Sequence, residues 1–211
     1  MDEILKFFIK VGELKNMPRR GWVLRGIKNP ESIADHSFRV ALMAWILGSK
    51  KNLNIEKLIK MALVHDLCEV YAGDITPYDS ILSTDKKKMK ELLKTWPRFS
   101  KAKKKQLAER KYKKEKEGLE KLIKNLSTKL KNEIHSLWLD YEKRLSPESR
   151  FLRQTDRVEN LLQSLEYWEK NKSLPQKSWW IQASELFDDP LLLDFANNMD
   201  REFHHTNKPK H

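Results

Sequence analysis

The chain has 211 residues, of which 39% are hydrophobic and 34% charged, with only 6 Gly and 8 Pro, and this composition is typical of a soluble, mainly helical domain. Residues 85–131 contain 19 Lys and Arg and 6 Asp and Glu, a net charge of +13, whereas the rest of the chain has −1, so the formal net charge of +12 comes from this segment and indicates a basic insertion rather than a basic fold face. A single cysteine, Cys68, excludes an intramolecular disulfide, no apolar run is long enough for a membrane span, and the acidic start Met1-Asp2-Glu3 disfavours a secretory signal, so we expect a cytoplasmic protein.

The first 74 residues are predicted to form three helices. An amphipathic pattern covers residues 2–14, and residues 15–31 follow as a Pro- and Gly-containing loop. Ser32 and Asp35 give a helix-start signal for a helix that runs to about Gly48. Asn54 can cap the next helix, which Gly73 ends before the loop that begins at Asp74.

The 15–31 loop carries three arginines and a tryptophan, namely Arg19, Arg20, Arg25 and Trp22. A basic loop with an aromatic ring can bind an anion that is attached to a ring. The alternative is a solvated connection with one buried Trp, and composition alone favours that alternative.

The third predicted helix carries a His-Asp pair and a Glu at its end. Residues four apart share a helix face, so His65 and Glu69 are expected to point the same way, with Asp66 about 100° round the helix. The apolar stripe therefore ends in imidazole and carboxylate groups, which are ligands of metal sites. His36 lies on the buried face of the second helix, where a lone His is more often a core residue than a ligand.

Residues 80–131 are rich in lysine and become helical in pattern from Ser100. The part before Tyr112 has few apolar residues, so we expect it to project into solvent. One interpretation is a solvated, mobile arm, and the other is an electrostatic contact with nucleic acid or an anionic surface. The first is favoured.

The C-terminal third is also predicted to be helical. One amphipathic helix spans about 130–141, and Ser146-Pro147 starts another that carries Asp156 beside its apolar face. An Asp in a core helix is costly unless it is paired or binds a metal. Further helical pieces are expected near 181–187 and 190–203, before a polar tail at 204–211. With no convincing strand, repeat or Gly-rich phosphate loop, the chain is predicted to be all-α.

The candidate ligands occur in the order H…HD…D, and their flanking sequences are SIADHS at 32–37, HDLCEVYAGD at 65–74 and QTDR at 154–157. This pattern resembles the HD-domain superfamily of metal-dependent phosphohydrolases, in particular its 5′-deoxynucleotidase branch. The resemblance covers roughly residues 1–80 and 130–200. It implies a single helical HD domain over residues 1–203, with 85–131 as a largely helical basic insertion and 204–211 as a polar tail.

The resemblance also implies roles for particular residues. It assigns one divalent ion (Mn, Co, Fe, Zn or Mg) to His36, His65, Asp66 and Asp156, and catalysis to Glu69. It implies substrate contacts from Arg20, Trp22, Asp74, Tyr141 and Glu142. Because Gly21 separates Arg20 from Trp22, Arg25 is a rival of Arg20 for binding the phosphate. The implied reaction is hydrolysis of deoxyribonucleoside 5′-monophosphates to deoxynucleoside and phosphate, in a homodimer.

Two alternatives stay open from the sequence. The first is another HD hydrolase, acting on guanosine tetraphosphate, a nucleoside triphosphate or a cyclic dinucleotide. Val70 after Glu69 argues against the tetraphosphate enzymes, which usually have HDxxED. The chain also lacks the Gly-Tyr-Pro signature of the cyclic-dinucleotide enzymes. The second is a nucleic-acid-binding module that uses the basic insertion.

Overall fold

The computed structural model describes residues 1–82, 99–172 and 186–205, together with the single positions 88, 92, 174 and 180. In these parts the chain forms α-helices and short 3-10 turns, and the only pairing of extended backbone is an isolated bridge between Pro18 and Ser32. The all-α prediction is therefore confirmed. The helices are α1 Asp2–Gly12, α2 Arg20–Leu24, α3 Ile33–Gly48, α4 Ile55–Val64, α5 Glu69–Ala72, α6 Lys101–Ile123, α7 Thr128–Lys143, α8 Pro147–Lys170 and α9 Pro190–His205.

Several helix ends form where the sequence predicts them. Ser32 and Asp35 bond reciprocally, because the Asp35 carboxylate accepts from the Ser32 backbone N–H at 2.8 Å and the Ser32 hydroxyl accepts from the Asp35 N–H at 3.1 Å. Ser146 accepts from the Ser149 N–H at 3.2 Å, and Pro147 follows at the first helical position of α8. These bonds satisfy backbone donors that a helix start leaves open.

Two expectations from the sequence need correction or fall outside the described residues. The 15–31 loop is not wholly irregular, because α2 lies within it and buries Trp22 and Leu24. Most of the helical piece expected near 181–187 lies outside the described residues, as do much of residues 83–98 and the tail from 206 onward.

The chain divides into two units, and the first contains residues 1–36 and 64–136. In this unit α5 packs against α6, and α1 packs against α6 and a 3-10 turn at Glu13–Asn16. Close packing depends on Gly118 of α6, since a Cβ there would lie 2.7 Å from the carbonyl oxygen of Cys68. The C-terminal end of α6 buries Leu119, Leu122 and Ile123.

The second unit contains residues 37–63 and 137–211 and has its own hydrophobic core. The predicted buried face of α3, which comprises Val40, Met43, Ala44 and Leu47, belongs to this core. It is joined by side chains of α4, α8 and α9, including Leu58, Leu161 and Leu192, which are all at most 1% exposed. A fully buried side chain of this size contributes about 1.5–3 kcal/mol relative to an exposed one.

Candidate functional site

The HD pair lies in a tight turn between two helices. The sequence predicts one continuous helix through Glu69, but α4 ends at Val64 and α5 begins at Glu69. Between them the backbone bonds join residues three apart, including the N–H of Glu69 to the carbonyl of Asp66 at 3.1 Å. Bonds of this spacing give about three residues per turn, a geometry that favours alignment of Glu69 with Asp66.

Three of the four predicted metal ligands come together in the first unit. The Nε2 atoms of His65 and His36 lie 3.3 and 3.8 Å from Oδ2 of Asp66, and a ligand nitrogen of one ring is within 4.8 Å of a ligand nitrogen of the other. Both imidazoles are at most 2% exposed. Two imidazoles and a carboxylate that converge in this way fit a divalent ion.

Positive groups around Asp66 keep its carboxyl ionised. Burial alone would raise the pKa of Asp66, but His65, Arg19 and His36 together hold it well below its usual range. The Arg19 guanidinium donates to the Asp66 carboxylate at 3.1 Å, and both side chains are 14% exposed. The sequence favours Arg20 and Arg25 over Arg19. The only signal for Arg19 is its place in the same basic loop.

Glu69 has the opposite electrostatic setting. Its side chain is 1% exposed, and burial raises its pKa well above the usual value, with a further contribution from the charges of Asp66 and Asp74. Within the described part of the chain, its Oε2 atom is buried and has no hydrogen-bond partner. A carboxyl group in this setting favours the protonated form, which can donate a proton.

A lysine of the basic segment also reaches this group. Lys111 Nζ lies 3.1 Å from Oε1 of Glu115 and 3.9 Å from Oε1 of Glu69. Burial lowers the pKa of Lys111, but the Glu115 carboxylate at 3.1 Å outweighs that effect and raises it, so the amine stays protonated. The sequence does not single out Lys111 or Glu115, because both resemble the other charged residues of a lysine-rich helix.

The predicted substrate residues of the 15–31 loop are held by other side chains. Asp74 accepts the backbone N–H of Arg20 at 2.7 Å, and the Arg20 guanidinium pairs with Asp79 at 3.1 Å. Trp22 is 3% exposed and donates its indole N–H to Glu31 at 2.8 Å. Asp74 therefore links α2 to the segment after α5, and Trp22 presents little surface for stacking.

Arg25 lies near these residues but points its guanidinium at backbone. Its Nη1 donates to the carbonyl of Gly21 at 3.0 Å. Burial lowers the pKa of Arg25 to about 10, which still leaves it positively charged at neutral pH. Arg25 is a partly buried cation whose guanidinium also lies 5.9 Å from the centre of the Trp22 ring, whereas Arg19 donates directly to Asp66.

The remaining predicted site residues belong to the second unit. Asp156 on α8 is 6% exposed, and its carboxylate accepts from the Tyr141 hydroxyl at 3.0 Å and from the Asn160 side chain at 2.9 Å. Glu142 pairs with Arg153 at 3.2 Å, and that guanidinium also lies over the Tyr141 ring. These contacts fix the orientation of the Asp156 carboxylate, as neighbours of metal-binding carboxylates commonly do.

Comparison with known proteins places this arrangement in a family. The HD domain family profile matches residues 11–184, so the chain belongs to the HD domain family. A frog (Xenopus laevis) protein named 5′-deoxynucleotidase HDDC2 is 37% identical over 169 residues, covering 80% of this chain and 71% of the relative. The zebrafish (Danio rerio) protein of the same name is 33% identical over 203 residues, covering 96% of this chain and 88% of the relative.

Solved structures agree with the fold. A conserved hypothetical protein from Pyrococcus furiosus superposes with a TM-score of 0.66 at 23% identity, over 93% of this chain and 99% of that one. The resemblance to the HD-domain superfamily and its 5′-deoxynucleotidase branch is thus confirmed. Separately, among the helices of the described ranges, none has the length and apolarity that a bilayer crossing requires.

Proposed function

We propose that this protein is a metal-dependent phosphomonoesterase that hydrolyses deoxyribonucleoside 5′-monophosphates to deoxynucleoside and phosphate. The observation that carries the proposal is the convergence of His36, His65 and Asp66 beside the buried carboxyl of Glu69. The names of the relatives support the substrate class. An HD domain with this donor set fits phosphate-ester hydrolysis better than a binding role alone.

The proposed metal ligands are His36, His65 and Asp66, with Asp156 as the fourth from the H…HD…D order of the sequence. A bound divalent ion supplies Lewis acidity for a phosphoryl oxygen and a water of lowered pKa. The Arg19 guanidinium, 3.1 Å from Asp66, keeps that carboxylate ionised and in place. Adding Mn, Co, Fe, Zn or Mg separately to metal-free protein tests which ion best restores turnover.

The chain's own residues supply the proton and bind the phosphate. Glu69, a buried carboxyl beside the proposed metal ligands, donates a proton to the 5′-oxygen of the leaving deoxynucleoside. A guanidinium can hold two phosphate oxygens at once, and we propose Arg19 for this role because it lies at the metal ligands, with Arg20 and Arg25 as the alternatives.

The remaining predicted substrate contacts keep their roles within this proposal. Asp74 is proposed to contact the sugar, and it also accepts the backbone N–H of Arg20. Trp22 forms an apolar wall rather than an open stacking surface, because it is almost fully buried. Tyr141 and Glu142 act in the second unit, where Tyr141 orients Asp156.

The proposal is tested by phosphate release from a panel of deoxy- and ribonucleoside 5′-monophosphates with each divalent ion. We expect turnover that needs a metal, prefers deoxynucleotides and is lost in Asp66→Ala together with bound metal. Absence of phosphate release with every ion, or full activity in Asp66→Ala, would refute it. The proposal also includes a cytoplasmic location and a homodimer. Light scattering of the purified protein would measure the oligomeric state.

A further inference from the structure

Lys111 stands out among the basic residues of α6 because it faces two buried carboxyl groups. We propose that Lys111, anchored by Glu115, is a positioning residue that holds Glu69 for proton transfer; this rests on the function proposed above. The basic segment would then contribute to the chemistry of the site, a role that its composition gives no reason to expect.

The geometry divides Glu69 into two ends. Its Oε1 atom faces the Lys111 ammonium at 3.9 Å, whereas its Oε2 atom has no hydrogen-bond partner within the described residues. The ammonium beside Oε1 restricts rotation of the carboxyl group and leaves Oε2 for the reacting group. Positioning of this kind matters because a proton donor must lie within hydrogen-bond reach of its acceptor.

Glu115 explains why Lys111 points inward. Its side chain is 4% exposed and accepts from Lys111 at 3.1 Å, one helical turn further along α6. A buried carboxylate needs a paired cation, so Glu115 retains the ammonium at the site. The close approach of α6 to α5, which Gly118 permits, brings this pair to Glu69.

The same helix contains a lysine–glutamate pair of the ordinary kind. Lys116 and Glu120 have the same spacing, with a distance of 3.6 Å, and Lys116 is 45% exposed against 40% for Lys111, but Glu120 is 53% exposed whereas Glu115 is 4% exposed. An exposed pair of this type contributes little to stability or function. Lys116 is therefore a matched control for Lys111, since it has the same residue type, helix and pairing distance along the chain.

The test compares steady-state kinetics of the metal-loaded wild-type protein with those of Lys111→Met, Lys111→Arg and Lys116→Met. We expect kcat of Lys111→Met to fall about tenfold or more, with KM and metal content nearly unchanged. Lys111→Arg keeps the charge and should recover most of kcat, and Lys116→Met should match the wild type. A merely structural role would appear as a lower free energy of unfolding, and not as a loss of kcat with KM and metal content retained.

A second variant keeps the test decisive if Lys111→Met folds poorly. Glu115→Gln keeps the Lys111 side chain but removes the carboxylate that orients it, so kcat should fall while KM is retained. An unchanged kcat in Lys111→Met or, where that variant is unfolded by circular dichroism, in Glu115→Gln overturns this proposal alone. No phosphate release by the wild type overturns the proposed function, and this role with it.

Discussion

Among single residues, Glu69 has the environment that most limits its chemistry. A carboxyl that is 1% exposed and faces two other carboxylates is costly to ionise, so its protonated form is favoured. We predict that Glu69→Gln, which keeps the shape but removes the acidic proton, lowers kcat by about 10²–10⁴-fold. Metal content should stay at the wild-type level, because the three converging ligands are untouched.

Phosphate-release kinetics and elemental analysis of the same preparations check both halves of this prediction. Asp66→Ala is the comparison that loses both metal and activity. Wild-type turnover in Glu69→Gln would remove Glu69 from the mechanism. Loss of metal in that variant would instead make Glu69 a ligand.

The sequence identifies candidate site residues that belong to a strong local pattern. It does not identify those whose role depends on contacts with distant parts of the chain. The H…HD…D order has a family precedent, so it predicts His36, His65 and Asp66 as ligands. Arg19 and Lys111 could not be singled out, since each is one basic residue among several neighbours. Their importance arises from partners far along the chain, and no helical period encodes such a contact.

The pairing of α5 with α6 depends on one glycine. Gly118→Ala would place a Cβ 2.7 Å from the backbone oxygen of Cys68, which cannot move aside as a flexible side chain does. Alanine in a helix gains about 1 kcal/mol over glycine from propensity, whereas overpacking costs about 1–3 kcal/mol. We therefore predict net destabilisation, measured as a lower free energy of unfolding in urea.

Gly12→Ala is the matched control for that prediction. Gly12 ends α1, and the nearest atom to its added Cβ is the Cε of Lys15 at 3.9 Å. The propensity term then acts without a clash, so Gly12→Ala should be neutral or stabilising by up to about 1 kcal/mol. Equal effects of the two substitutions would show that the contact at Gly118 is not tight.

The corner between α7 and α8 contains a pH-dependent contact. Asp140 accepts from the Lys57 ammonium at 2.8 Å and from the Ser146 hydroxyl at 2.7 Å. Burial would raise the pKa of Asp140, but these bonds lower it to about 2, against about 3.9 in an unfolded chain. The stabilisation, about 2 kcal/mol, is thus fully present above pH 4 and is lost as the pH falls towards 2.

We predict that Asp140→Asn lowers the free energy of unfolding at pH 7 and that its difference from the wild type shrinks towards pH 3. Urea titrations at several pH values give this difference directly. Glu56→Gln is the control, because Glu56 is 76% exposed and pairs only with Lys60 of the same helix in the described structure. A pH-independent difference for Asp140→Asn would contradict the assignment to its charge.

For the molecule as a whole, the basic excess separates into two parts along α6. The first turns, 101–110, are largely exposed, as the sequence predicts, whereas the following turns carry Lys111 to Glu69 and bury Glu115. Composition treats these parts alike, because both are rich in lysine. Only the packing of α6 against α5 separates a solvated stretch from one that reaches the candidate site.

This division predicts different effects of charge at the two ends of α6. Lys101, Lys104 and Lys105 are exposed, so changing all three to Glu should leave kcat unchanged, unlike Lys111→Met. Their charges attract polyanions by counterion release, which weakens steeply with salt. We therefore expect single-stranded DNA to bind the wild type only at low salt, and the triple variant more weakly, in fluorescence anisotropy titrations. Binding of the wild type that persists at about 0.15 M salt and is abolished in the triple variant would favour the nucleic-acid-binding alternative.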